Sequence, residues 1–235
     1  MRQVVAVVLL VVTQGCGKAS DASHAPVVCG GYLSILSNAG LSAFNARGCT
    51  SVTGTLIING PELTSVELPG LTAIDGGLTV IHADALTSLS LPALTTVKGS
   101  LVVDTNGFLG RIDLPLLTTV SDRLLFTWNP YMSSLSLPAL TTVGGDLDVD
   151  SNLRLTSLSL PALTSVSGTL AIYNDRFLAS LNLPALTTVG VALDIWGDPA
   201  LPQCLAMALK DHLVAQHGFA GAWTITGNDT TAICP

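Results

Sequence analysis

Positively charged side chains are scarce in this sequence, which has nine Lys and Arg against 16 Asp and Glu over 235 residues. The formal net charge is −7 at pH 7. Because a protein that binds phosphate backbones needs a basic surface, this balance argues against a nucleic-acid partner. Charged residues of either sign make up only 11% of the chain, and the many serines and threonines predict a neutral, polar exterior.

Groups that carry catalysis are also sparse. The four histidines (His24, His82, His212 and His217) are scattered, and none is spaced to pair with a nucleophile. No cluster of Cys and His has the spacing of a zinc site. The sequence therefore predicts a protein that is not an enzyme and has no cofactor. The alternative is a β-helical carbohydrate-active enzyme acting on a polysaccharide, which would need acids and bases gathered in one groove.

One acidic run is a candidate metal site. Asp146, Asp148 and Asp150 alternate with apolar residues, so a strand would turn all three carboxylates to one side. Clusters of oxygen ligands can bind calcium. No glycine-bounded calcium loop accompanies the run, which favours solvated carboxylates, but the sequence leaves calcium binding open.

A repeat of 23 residues occupies most of the chain. Near-copies of Leu-Pro-Ala-Leu-Thr-Thr-Val recur, and their prolines mark the period: Pro69, Pro92, Pro115, Pro138, Pro161 and Pro184. A fixed short period of this kind is typical of a solenoid, in which one repeat cannot bury its apolar side without its neighbours.

The spacing of apolar residues within one repeat predicts a coil of short strands. In one unit these residues are Leu101, Val103, Leu109, Ile112, Leu114, Leu117 and Val120. Steps of two residues indicate strands with alternate side chains inward, and steps of three suit bends between flat sides. We therefore expect a mainly β fold, a β-helix or leucine-rich-repeat-like solenoid of ~23-residue coils with short helical caps.

Recurring polar and small residues mark the expected corners. Glycines precede the first strand of four units, where a turn would use positive φ; they are Gly76, Gly99, Gly145 and Gly168. A second column follows each first strand and is expected to bond backbone groups at a bend. Its members are Asn106, Asn129, Asn152, Asp175 and Asp198.

The first residues indicate export. Residues 1–15 combine Arg2 with an apolar run from Val4 to Val12, too short to span a bilayer and typical of a signal peptide. The approach to Cys16 resembles a bacterial lipobox, so we expect Cys16 to carry lipid and residues 16–28 to form a tether. The protein would then be an outer-membrane lipoprotein that contacts the membrane only through this lipid. Ordinary cleavage near Ala19 is the rival, and would give a secreted or periplasmic protein.

Five cysteines are an odd number for an exported chain. Assigning Cys16 to lipid leaves Cys29, Cys49, Cys204 and Cys234, of which the pairs Cys29–Cys49 and Cys204–Cys234 are favoured because a rod separates them. Each pair would stabilise the fold by roughly 3 kcal/mol in the chain-entropy model.

After the signal peptide (residues 1–15) and the tether (16–28), we expect three further regions. The N-terminal disulfide cap would span residues 29–53, the repeat solenoid 54–201, and the C-terminal helix and disulfide cap 202–235. We expect a short helix from Asn38 to Asn45 at the first end. A second helix would start at Pro202 and stop at Gly218, before a final strand near Trp223.

The opening of the repeat region carries a family resemblance. Cys29 precedes a short amphipathic segment, then Cys49-Thr50-Ser51-Val52-x-Gly54-x-Leu56-x-Ile58, then recurring Leu-x-x-Val-x-Gly-x-Leu-x-Val-x-x-Asn. This arrangement resembles the receptor L-domain, found in the ligand-binding lobes of insulin- and epidermal-growth-factor-type receptors and in bacterial surface lipoproteins. The resemblance implies a right-handed β-helical solenoid used for binding or surface architecture, without catalysis. Because this sequence has one lobe and no kinase, the resemblance does not imply receptor signalling.

The few aromatic residues, 5% of the chain, are the candidate ligand face. Those singled out are Trp128, Tyr131, Tyr173, Phe177 and Trp196. An exposed aromatic patch would suit a surface protein or a glycan as partner. The alternative is that these rings pad the corners of the solenoid.

Overall fold

The computed structural model describes residues 25–219 and 221–232, which wind into a stack of coils built from short parallel strands. Strands of neighbouring coils pair in register at a spacing of 23 residues, as in Leu101 with Leu124 and Leu124 with Leu147. The coil from Leu56 to Leu78 is one residue shorter. The predicted mainly β solenoid of ~23-residue coils is therefore confirmed.

Each coil has three sides, and the first contributes to a nine-stranded parallel sheet. The strands of this sheet are Leu33–Ile35, Leu56–Ile58, Leu78–Ile81, Leu101–Asp104, Leu124–Thr127, Leu147–Asp150, Leu170–Tyr173, Ala192–Trp196 and Ala222–Thr226. The second side forms an eight-stranded sheet of two-residue strands. These are Val28–Cys29, Ser51–Val52, Ala73–Ile74, Thr96–Val97, Thr119–Val120, Thr142–Val143, Ser165–Val166 and Thr188–Val189.

The third side is interrupted halfway along the rod, giving two three-stranded sheets. One consists of Ser65–Glu67, Ser88–Ser90 and Arg111–Asp113, and the other of Ser134–Ser136, Ser157–Ser159 and Ser180–Asn182. Two of the expected inward side chains, Ile112 and Leu181, are only partly buried against the core. Both lie on edge strands of these sheets, Ile112 beside the interruption and Leu181 at the C-terminal end.

Alternation within each strand places the leucines and valines inside. In the strand Leu101–Asp104, Leu101 and Val103 are buried while Val102 and Asp104 face outward. The corresponding residues of neighbouring coils stack on them in register, so apolar side chains form continuous columns along the interior. No single coil could bury these columns alone.

The glycines before the first strands have a different role from the one predicted. Positive φ is found at Gly31, Gly48, Gly197 and Gly227, and not at the four glycines that the sequence placed at turns. At those four positions the backbones of successive coils approach closely. A Cβ on Gly99 would lie 2.8 Å from the carbonyl carbon of Gly76, and one on Gly76 would lie 2.5 Å from that of Gly54. Glycine is needed there because a side chain would separate the coils.

The polar column after the first strands lies inside the rod. Its side chains follow a bend and bond backbone groups, as predicted, and the five predicted members are fully buried. We call this column the polar ladder, and it consists of Asn106, Asn129, Asn152, Asp175, Asp198 and Asn228.

Short helices lie at the two ends. The first, α1 (Asn38–Ala46), begins at the N-cap Ser37, whose hydroxyl accepts from the Gly40 amide at 3.1 Å, and it buries Phe44. The second, α2 (Gln203–Ala215), follows Pro202 and buries Ala206 and Leu213. It ends earlier than the predicted stop at Gly218. Neither helix, within the part of the chain described, has the length and apolar character required to span a bilayer.

Candidate functional site

A sharp bend follows each strand of the nine-stranded sheet from Leu78–Ile81 onward and sets which side chains point outward. The residue just before each polar-ladder position, and before Ala83 at the equivalent position one coil earlier, has positive φ, between 51° and 59° where it is not glycine. These are His82, Thr105, Trp128, Ser151 and Asn174, and the same position is occupied by Gly197 and Gly227 near the C-terminal end. At this bend Trp128 projects outward and is 59% exposed.

Two aromatic rings stack on the outer face of the nine-stranded sheet. Tyr173 and Trp196 are cross-strand partners at the last positions of their strands. Their ring centroids are 4.9 Å apart and their planes differ by 7°. Trp196 is 37% exposed, so the stack offers a rigid apolar platform next to solvent.

Carboxylates surround this platform. Asp150 pairs with Tyr173 in the sheet, and Asp148 and Asp194 lie on either side of Ala171 in the neighbouring outward column. Since parallel strands repeat at about 4.8 Å, the Cα atoms of Asp148 and Asp194 are roughly 10 Å apart, with only a methyl side chain between them. We call Asp148, Asp150, Tyr173, Asp194 and Trp196 the acidic–aromatic face.

One arginine partly neutralises this face. The Arg123 guanidinium lies 3.2 Å from an Asp146 oxygen through Nε and 3.3 Å from an Asp148 oxygen through Nη2. Burial nevertheless raises the pKa of the Asp148 carboxyl, with Arg123 opposing the shift and Asp146 and Asp150 adding to it. Burial, followed by Asp150 and Asp148, also raises the pKa of the Tyr173 hydroxyl. Both pKa shifts come first from burial, and the neighbouring carboxylates add to them.

Phe108, Tyr131 and Phe177 form a separate group on the adjoining loop. Phe108 and Tyr131 have ring centroids 5.3 Å apart, and the Arg154 guanidinium lies 4.2 Å from the Tyr131 centroid. Arg176 lies 5.5 Å from the Phe177 centroid. Phe108, Tyr131, Arg154 and Phe177 follow one another at 23-residue steps, and we call them the loop column.

The residues of the predicted ligand face thus lie on two surfaces, one acidic and one bearing arginines, and on the bend between them. Tyr173 and Trp196 belong to the acidic–aromatic face, Tyr131 and Phe177 to the arginine-bearing loop column, and Trp128 to the bend between strand and loop. Sequence reasoning missed that Arg154 continues the column of Tyr131, although its 23-residue spacing was visible. It also missed the placement of Asp150 and Asp194 beside the aromatic stack.

The carboxylates of the acidic run, Asp146, Asp148 and Asp150, bond other groups of the same chain. Besides its ion pair, Asp146 accepts from the Thr169 amide at 2.9 Å. Asp150 accepts from the Ser151 hydroxyl at 2.7 Å and from the side-chain amide of Asn174 at 3.2 Å. Across residues 25–219 and 221–232, no group of three or more His, Cys, Asp or Glu side chains is positioned to hold a metal ion. Calcium binding by the three aspartates therefore gains no support.

The cysteines are placed as follows. Cys29 and Cys49 form a disulfide with a Cα–Cα distance of 5.7 Å, which joins the first strand to the loop after α1. The Cys204 sulfur lies 4.0 Å from the Ala232 carbonyl oxygen. Cys16 and Cys234 lie outside the described residues, so the lipid at Cys16 and the pair Cys204–Cys234 stay predictions.

Comparison with known proteins does not assign the chain to a family. No protein-family model, no curated protein and no solved structure matches the chain. The solenoid fold rests on the strand pairing described above, and the resemblance to the receptor L-domain stays a prediction.

Proposed function

We propose that this protein is a non-catalytic binding module of the cell surface, related in architecture to the receptor L-domain, which recognises a partner through its acidic–aromatic face. The observation that carries the proposal is the stacked Tyr173–Trp196 pair, held partly exposed beside carboxylates on the outer face of the nine-stranded sheet. Exposed aromatic side chains are frequent anchors of protein recognition.

The rigidity of the face favours binding. Both rings stand on strands paired on either side within the sheet, and they already contact each other without a partner. A preorganised aromatic surface loses little side-chain freedom when a ligand arrives, so more of the contact free energy appears as affinity.

The charge of the face favours a positively charged partner. The Asp194 carboxylate has no hydrogen-bond or ion-pair partner among the residues that the structure describes, and Asp148 shares its single arginine with Asp146. Ala171 itself is buried, 6% exposed, so an ammonium or guanidinium group would have to bind over it, bridging the Asp148 and Asp194 carboxylates and lying against the aromatic platform. We therefore favour a protein partner with exposed Lys or Arg over a neutral glycan.

Export and anchoring complete the proposal. The Cys29–Cys49 disulfide suits an oxidising compartment, because disulfides are rare in reducing cytosol. Together with the signal-like residues 1–15, it supports an exported lipoprotein attached through Cys16. The mass of the first residue of the mature protein tests this part. A diacylglyceryl adduct on Cys16 supports it, and a start near residue 20 contradicts it.

Binding of charged peptides tests the face. We expect the mature protein to bind labelled octalysine more tightly than octaglutamate at about 0.15 M salt. Trp196→Ser and Asp194→Asn should each weaken octalysine binding, the former by roughly tenfold because it removes an exposed aromatic anchor. Fluorescence anisotropy titration measures both effects.

Two matched variants control for general effects. Tyr32→Ser removes another exposed aromatic ring, 83% exposed at the opposite end of the rod, and Asp84→Asn removes another exposed carboxylate. Both should leave octalysine affinity within about twofold. Equal losses in the control and face variants, or no preference for octalysine, would contradict the assignment of this face.

A further inference from the structure

The asparagines of the polar ladder bond neighbouring coils through both ends of the side-chain amide. The Oδ1 atoms of Asn106 and Asn152 accept from the backbone amides of Ala83 and Asn129 in the preceding coil, both at 3.1 Å. Asn129 Oδ1 accepts instead from the side-chain amide of Asn106, also at 3.1 Å. The Nδ2 atom donates to the carbonyl 26 residues earlier. Asn106 reaches Val80 at 3.1 Å, Asn129 reaches Val103 at 2.9 Å, and Asn152 reaches Phe126 at 2.8 Å.

Two successive rungs of this ladder are aspartates. Asp175 Oδ1 accepts from the Asn152 amide at 2.7 Å, and Asp198 Oδ1 accepts from the Asp175 amide at 2.8 Å. Asn228 then continues the ladder, donating through Nδ2 to the Ile195 carbonyl at 3.0 Å. The Oδ1 atoms of the two aspartates therefore accept backbone hydrogen bonds as the Asn152 oxygen does.

The second oxygen of each aspartate lies where asparagine has its donor. Both Oδ2 atoms are buried without a hydrogen-bond partner in the described part of the chain. By the 26-residue offset, the carbonyls that would receive this bond belong to Val149 and Ile172. An ionised carboxylate has no proton to donate, so it would place an acceptor where the ladder needs a donor.

The surroundings of both carboxyls are negative. Asp150 and Asp198 act on Asp175, Asp150 acts on Asp198, and Tyr173 is the other titratable side chain that interacts with Asp175. No lysine or arginine ion pair to either acid occurs among the ion pairs of the described residues. Ionisation would therefore leave two buried negative charges on adjacent coils.

We infer that Asp175 and Asp198 are neutral carboxylic acids in the folded protein, and that the fold loses stability as the pH rises because the unfolded chain can ionise both acids freely. In the neutral form each Oδ2–H donates to its carbonyl, Val149 or Ile172, and reproduces the asparagine bond. The proton is lost to solvent when the pH rises, and the ladder then lacks two donors.

The direction of the pH effect follows from proton binding. Burial, more than any other cause, raises the pKa of Asp175 to about 8 and that of Asp198 to about 7, from 3.8 when unfolded. At pH values between the unfolded and the folded pKa, the folded chain binds more protons than the unfolded chain, so stability falls as pH rises. The unfolding equilibrium constant should increase up to tenfold per pH unit for each acid, and level off above about pH 8.

Urea unfolding of the mature protein between pH 5 and 9 tests the inference. The wild type should lose stability steadily up to about pH 8. Asp175→Asn with Asp198→Asn should flatten this dependence and be more stable than wild type at pH 8.5, because the amide supplies the donor permanently. Asn152→Asp should steepen the dependence by adding a third buried acid, whereas the exposed Asp84→Asn should leave it unchanged.

Two results of the unfolding experiment would overturn the inference. One is a wild-type stability that stays flat from pH 5 to 8.5. The other is a doubly substituted protein that is no more stable than wild type at pH 8.5, which would show that the folded protein prefers the ionised acids. Carboxyl carbon-13 shifts give a second measurement on the folded wild type, and titration of both acids near pH 4 would also overturn it.

Discussion

At the scale of single residues, the bend after each strand stores backbone strain. Thr105, Trp128 and Ser151 have left-handed backbone angles that cost an ordinary L-residue roughly 1–2 kcal/mol. The stacked coils hold them there because the next residue must enter the polar ladder. The sequence predicted that the ladder side chains bond backbone groups, but not this strain, because threonine and tryptophan do not favour positive φ.

Thr105→Asn is therefore expected to stabilise the protein. Asparagine tolerates this conformation, and it already occupies the equivalent position at Asn174. We expect a gain of about 0.5–1 kcal/mol in the free energy of unfolding, reduced by loss of the 3.1 Å contact from the Thr105 hydroxyl to Asp104. Urea denaturation measures the change.

Thr79→Asn provides the matched control, since Thr79 faces outward within a strand and has no left-handed strain to relieve. It should be neutral or slightly destabilising, because asparagine is disfavoured in strands. If Thr79→Asn stabilised the protein as much as Thr105→Asn, strain at the bend would not be the cause.

At the scale of elements, close stacking of coils explains the glycine column. The Gly99 amide donates to the Gly76 carbonyl at 2.9 Å, so a side chain on Gly99 would meet backbone that is fixed by this ladder. The sequence located the glycines but assigned them to positive φ. Contact between coils could not be read from a single repeat, since it depends on how neighbouring repeats stack.

Gly99→Ala should destabilise the protein by roughly 1–3 kcal/mol, the usual effect of forcing an extra carbon into packed structure. Gly107→Ala is the control, because a Cβ there meets no atom within 4 Å, and its effect should stay within about 0.5 kcal/mol. Thermal unfolding compares the two variants. Similar losses in both would indicate a general intolerance of alanine rather than close approach of coils.

At the scale of the whole molecule, the repeat made the architecture predictable. The prolines at 23-residue steps, with the inward leucines and valines, were enough to predict a solenoid, because register in a stacked coil follows directly from the period. The interruption of the third side between Asp113 and Ser134 was not predictable, since Arg111–Asp113 still alternates like its neighbours.

The candidate site was only partly predictable for a related reason. Sequence spacing showed that the aromatics recur near one corner, yet Tyr173 faces out from a strand and Tyr131 lies in the loop beyond it. A difference of a few residues within the coil decides which surface a ring joins. Asp194 beside Trp196 could be recognised only once the strand register was known.

Deletion of one coil tests the central claim, that equivalent residues stack at a period of 23. Removing residues 124–146 joins Arg123 to Leu147, which would then pair with Leu101 in place of Leu124. Removing only residues 124–135 takes out a strand and one rung of the polar ladder, and leaves a coil that cannot match its neighbours.

Thermal unfolding followed by circular dichroism compares the two deletions. We predict that the larger deletion keeps a β-type spectrum and a single cooperative transition, whereas the smaller one lowers the melting temperature further or prevents folding. A whole-coil deletion that is as damaging as the half-coil deletion, or more so, would contradict the stacked-coil account.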